Sequence, residues 1–181
     1  KKGSNDIELD EKAAFDAGVQ DSREAARAKL KPFKYDGTKS TYYNYKTFTH
    51  AKEVEILTVQ KTNYKFCFNG SMIKGDNISI EIYDKPRGAN GRTLVYSKEN
   101  IGNGDFEVTI DEMNETFRAE KSKVIKDENL LSQMRLKKVY INYIIPASDR
   151  KLESIETAEG TKEITTIQYS AIVLAVGYEF L

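Results

Sequence analysis

Two stretches of strict alternation constrain the fold of this chain more than any other feature. In Tyr64-Lys65-Phe66-Cys67-Phe68 and in Ile78-Ser79-Ile80-Glu81-Ile82-Tyr83, apolar side chains recur at every second position. An extended strand is the local structure that puts alternate residues on one side. Tyr64, Phe66 and Phe68, and likewise Ile78, Ile80 and Ile82, are therefore predicted to share a buried face, with Lys65, Cys67, Ser79 and Glu81 on the other. The intervening Lys74-Gly75-Asp76-Asn77 is turn-prone. The pair reads as two neighbouring strands of one antiparallel sheet.

The same vocabulary continues along the chain. From Ser40 onward Tyr, Thr, Ile, Val and Phe form short runs separated by Gly, Asn, Asp and Pro, the pattern of successive strands. Strands are predicted at 41–48, 52–59, 63–69, 77–83, 92–97, 105–110, 137–145 and 164–180, the last with a break near Ser170. A chain of 181 residues suits one main domain with a substantial core, and strands this short and numerous pack better as two sheets than one. The expected fold is mainly β: an antiparallel β-sandwich, jelly-roll or Ig-like, of about eight strands with an N-terminal α-helix.

Residues 1–31 form a charged helical segment in this reading, and residues 32–181 the sandwich. Asp10 is a reasonable N-cap. Phe15, Val19, Ala26 and Leu30 fall near one face, and Pro32 ends the pattern. Gly18 and the like-charged pair Arg23 and Arg27 weaken such a helix in isolation. Residues 171–176, Ala-Ile-Val-Leu-Ala-Val, are apolar on both faces. That places them in a central strand covered by the second sheet on one side and by the N-terminal helix on the other. Two connections are long: 111–136, with a short helix around Asn129 to Met134, and 146–163, polar and expected to be mobile.

Charge and cysteine usage narrow the function classes. Lys plus Arg and Asp plus Glu both number 28, so no net field favours nucleic acid or an anionic surface. No run approaches the roughly 20 apolar residues that a membrane-spanning helix needs. Cys67 is the lone cysteine, so no internal disulfide forms. The chain begins with Lys1 rather than Met, and an upstream piece, a secretory signal or a trimmed segment, is expected to have been removed.

Catalytic and metal signals are weak. His50 is the single histidine, expected in an exposed connection between the first two strands, and with Cys67 it cannot supply a zinc ligand set. A Ser-His-Asp relay would depend on His50, and no Gly-x-Ser-x-Gly elbow occurs. Glu53 and Glu55, on alternate positions, mark the wet face of a strand. No catalytic residue, metal ligand or cofactor is assigned on this basis.

Binding signals collect at loop ends. Strands that alternate in direction send every second loop to the same end, which groups the loop 84–91 with the connection 111–136, and the loops 70–76, 98–104 and 146–163 at the other end. The first end gathers Asp84, Lys85, Arg87, Asn90, Asp111, Glu112 and Asn114 as candidate ligand- or partner-binding residues. Asp111-Glu112-Met113-Asn114 offers oxygen ligands of the calcium type, although its spacing matches no defined calcium loop. Tyr43 and Tyr45 alternate on one face of the Tyr-rich stretch 41–46 and would present an aromatic platform for a sugar ring or a partner protein.

The charged N-terminal helix is followed by Tyr64-Lys65-Phe66, Ile80-Glu81-Ile82-Tyr83-Asp84 and a terminal Val-Leu-Ala-Val-Gly-Tyr-Glu-Phe strand at 173–180. In architecture this resembles the small periplasmic or surface β-sandwich modules of bacterial envelopes, from about Phe33 to the end. The resemblance implies a periplasmic or cell-surface location and a role in envelope assembly, adhesion or anchoring. The leading expectation is a non-enzymatic interaction module that binds a partner protein through its loops or its N-terminal helix. A carbohydrate-binding or calcium-dependent ligand-binding sandwich is the second reading, and a small carboxylate-dependent enzyme the third.

Overall fold

Each alternating stretch forms a strand, and the two strands lie in different sheets. The computed structural model describes residues 4–75, 77–148, 153–164 and 170–181. Helix α1 (Ser4–Ala28) precedes β1 (Lys34–Tyr43), β2 (His50–Leu57), β3 (Thr62–Asn69), β4 (Ser79–Tyr83), β5 (Leu94–Lys98) and β6 (Asp105–Thr109). Two helices follow, α2 (Ile110–Lys121) and α3 (Glu128–Gln133), and then β7 (Lys138–Ile145), β8 (Glu153–Thr157), β9 (Gly160–Ile164) and β10 (Ser170–Phe180). One sheet has the order β1-β10-β3-β6 and the other β2-β7-β4-β5, while β8 and β9 pair as a separate hairpin. All pairings are antiparallel. The fold is therefore an antiparallel β-sandwich with an N-terminal helix.

The predicted faces are right and the predicted neighbourhood is not. Phe66, Phe68, Ile78, Ile80 and Ile82 are all sealed in the core between the sheets. β3, however, hydrogen-bonds to β10 and β6, and β4 to β5 and β7, so β3 and β4 belong to opposite sheets of the sandwich. Alternation reports that one side of a strand is buried, and it does so equally for a strand beside its neighbour and a strand opposite it. Phe68 stacks on Phe106 at 4.8 Å between ring centroids and meets Tyr143 edge-on at 6.3 Å. Burying each such side chain contributes about 1.5–3 kcal/mol.

β10 occupies the centre of its sheet, as its two apolar faces require. Ile172, Leu174 and Val176 point into the sandwich. Ala171, Val173 and Ala175 point outward with Cys67 and meet Phe15, Val19, Ala26 and Leu30 from α1 and the turn after it. Small residues on the sheet let the helix approach closely. Polar contacts set its position: Ser22 Oγ donates to Asn69 Oδ1 at 2.8 Å, Arg23 donates to Ser40 Oγ at 2.7 Å, and Arg27 lies 4.0 Å over the ring of Tyr35. The two arginines that repel along the isolated helix are each engaged by β1.

Several boundaries differ from expectation for local reasons. α1 begins at Ser4, so Asp10 lies inside the helix and is not its N-cap; residues 4–9 contain no helix breaker, and the pattern simply extends. β1 covers Lys34–Tyr43 rather than 41–48. It is an edge strand with an irregularity between Tyr35 and Gly37, and half-wet edges lack clean alternation. His50 opens β2, paired with Ile145, rather than sitting in a loop. The connection 146–163 holds the strand β8 and most of β9. The short helix expected near Asn129 is α3, whereas α2 went unpredicted. Asp76 of the turn and residues 165–169 of the predicted last strand lie outside the described residues.

Candidate functional site

The alternation of loops between the two ends holds. At one end Gly70 N–H donates to Gly104 O, Ile101 N–H to Ile78 O and Ser148 N–H to Lys46 O; at the other Thr58 N–H donates to Lys137 O and Leu181 N–H to Lys61 O. The second end carries α2 and α3, and the loop 84–91 departs from it. The residues anticipated as one cluster nevertheless divide into separate places.

The loop after β4 doubles back over the outer face of its own sheet. Arg87 N–H donates to Glu53 Oε2 at 2.9 Å, Asp84 caps the loop through its bonds with Thr93, and Lys85 Nζ donates to Asn90 O at 3.4 Å. Asp84, Lys85 and Asn90 therefore stabilise the loop itself, and Arg87 anchors it through its backbone. In register beneath lie Glu53, Asn142 and Glu81. Asn142 is 1% exposed; its Nδ2 donates to Tyr140 O at 3.3 Å, and its Oδ1 has no partner among the described residues. Beside them Tyr83 O–H donates to Glu81 at 2.7 Å under the Arg92 guanidinium, 3.8 Å from the ring. Burial and then the Glu81 carboxylate push the Tyr83 phenol above its ordinary value.

Asp111 and Glu112 belong to the first turn of α2, not to a loop. Thr109 caps this helix, accepting from Glu112 N–H, while the Glu112 carboxylate accepts from Thr109 N–H at 2.8 Å, a reciprocal capping box. Asp111, exposed on the same turn, favours the positive end of the helix dipole. Asn114 of this group lines a concavity. It is 5% exposed, and its Oδ1 accepts from Leu136 N–H at 2.8 Å. No hydrogen bond or ion pair among the described residues joins Asp111, Glu112 or Asn114 to the loop 84–91.

Tyr43, 3% exposed, packs in the core with its ring edge-on to half-buried Tyr45 at 5.8 Å. These rings fill the sandwich rather than form an outer platform. Tyr42, on the opposite face, is exposed and touches Phe15 edge-on. A cavity of 230 Å³ beside them is bordered by Phe15, Tyr42, Lys46, His50 and Lys52. Burial, Lys46, Lys52 and Arg87 lower the His50 pKa, which keeps the imidazole neutral near pH 7. Under α1, burial pushes the Cys67 thiol up to about 11, so it is a packed side chain and a poor nucleophile.

A cleft at the helical end has the dimensions of a small-molecule site. It measures 550 Å³ and lies between the β2–β3 turn, α2 and the segment from α3 to β7. Ile110, Phe117 and Leu136 form buried walls, and Lys61, Arg135 and Lys137 stand exposed at the rim. The walls are braced from both sides. Thr58 donates through its N–H to Lys137 O at 2.9 Å and through its hydroxyl to Leu136 O at 2.6 Å. Across the cleft Asn114 holds Leu136, and Arg118 donates to Met134 O at 3.2 Å. Sequence reading missed all of these residues but Asn114. The available signals were the spacing Ile110, Met113, Asn114, Phe117, which is one helical face, and the Thr109-x-x-Glu112 box that starts it. No protein-family model matches this chain, and no curated protein matches it in sequence.

Proposed function

We propose that this chain is a non-enzymatic binding module whose working surface is the cleft at its helical end. The observation that carries the reading is the combination of apolar walls with a rim of cations and amides, held in shape by hydrogen bonds on both sides. Such a lining offers contact area and hydrogen-bond donors, which is the chemistry of holding a ligand. α1, the other element considered for partner binding, uses its apolar face to cover Ala171, Val173 and Ala175, and the loop 84–91 is engaged with Glu53. Both facts favour the cleft. Location in a bacterial envelope is part of the proposal and rests on the architectural resemblance alone.

The test is an amide-resolved NMR screen of the whole chain against a chemically diverse fragment set. Perturbations are expected to converge on residues 58–62, 110–117 and 132–137. Hits scattered over the surface, or concentrated on the loop 84–91, would refute the assignment.

A further inference from the structure

The charges around the cleft identify what it holds, given the binding role proposed above. Lys61, Arg135 and Lys137 border it, and no Asp or Glu is among its lining residues. Among the described residues none of the three cations forms an ion pair. In a chain with equal numbers of acidic and basic residues, three unmatched cations around one concavity are a local arrangement and not a consequence of net charge. Lys61 is also one of two non-glycine residues with positive φ among the described residues, at 57°. That conformation is disfavoured for a lysine, and such outliers concentrate where structure serves a ligand. Asn114 Nδ2, free of any hydrogen bond among the described residues, adds a neutral donor at the wall.

We infer that the cleft takes an anionic amphiphile, a molecule with an apolar body seated against Ile110, Phe117 and Leu136 and a carboxylate directed to the Lys61, Arg135 and Lys137 rim. The volume accommodates one such molecule and not a folded partner. A carboxylate in this position gains charge-assisted hydrogen bonds from cations that no ion pair among the described residues engages. An uncharged body of equal length gains only the apolar contact, and a cationic head is repelled.

The experiment titrates the whole chain with decanoate, decanol and decyltrimethylammonium, each below its micelle-forming concentration, and follows backbone amides by NMR. Decanoate is expected to shift cleft amides and to bind at least tenfold more tightly than decanol, with no cleft response to the ammonium compound. The triple variant Lys61→Gln, Arg135→Gln, Lys137→Gln alters exposed side chains only; it is expected to lose at least tenfold in decanoate affinity and to leave decanol unchanged. Equal affinity for decanoate and decanol in the cleft overturns the anionic class while leaving the binding cleft standing. Failure of all three compounds to perturb the cleft overturns the amphiphile. So does binding only to phosphatidylglycerol vesicles, in which case the fragment screen decides separately whether the cleft is a site.

Discussion

Gly70 sits where two loop backbones meet at the end opposite the cleft. A Cβ there would lie 2.6 Å from Gly102 O and 3.1 Å from Gly104 O, while its own N–H donates to Gly104 O at 2.9 Å. Backbone cannot rotate away as a side chain can. Gly70→Ala is expected to destabilise the protein by about 1–3 kcal/mol, whereas Gly37→Ala, which meets no atom within 4 Å, should stay within about 0.5 kcal/mol of the parent. Urea denaturation of both variants checks the contrast, and equal midpoints would contradict it. Cys67 supplies a pH signature at the same scale. Its thiol stays protonated in the fold up to about 11 because it is buried, whereas an unfolded thiol ionises near 8.5. Above that lower value the unfolded state binds fewer protons, so stability contributed by the buried thiol is complete below it and declines as pH rises toward 11. Cys67→Ala should flatten this part of the stability profile; an identical decline in both proteins would assign the effect to other groups.

At the scale of elements, α1 is readable from its stripe of Phe15, Val19, Ala26 and Leu30, and its partner is readable from the doubly apolar strand at 171–176. Their contact makes Cys67 a reporter of docking. Leu30→Ala removes a buried side chain from this interface and is expected to cost about 2–5 kcal/mol. Alkylation of Cys67 by iodoacetamide should accelerate at least tenfold as the helix lifts more often, and an unchanged labelling rate would show that α1 does not guard the thiol. α2 was legible only in part. β6 runs directly into it without a turn signal, and its buried face includes the polar Asn114, so the segment resembles a charged connection when apolar residues alone are counted. The β8–β9 hairpin was missed because its strands pair with each other and carry little of the alternation that the main sheets demand.

At the scale of the whole molecule, helix and sandwich share a second hydrophobic cluster in addition to the core between the sheets. Removal of residues 1–31 would expose Cys67, Ala171, Val173 and Ala175 together. The shortened chain is expected to bind the dye ANS and to melt well below the full chain. Full retention of the melting temperature without dye binding would mean that the sandwich is self-sufficient, with the helix an appendage. The sequence by itself determined most of the strands of the two main sheets, the buried side of the clearly alternating ones, the presence of an N-terminal helix and that the strands form a sandwich, because these follow from periodicities of two and 3.6 within short windows. Only the tertiary structure decided that β3 and β4 belong to opposite sheets, that the loop 84–91 folds onto Glu53, and that Lys61, Asn114 and Arg135 meet around one cleft. Those outcomes depend on contacts between residues far apart in the chain. A local hydrophobic pattern records that a face is buried and carries no information about which distant segment buries it.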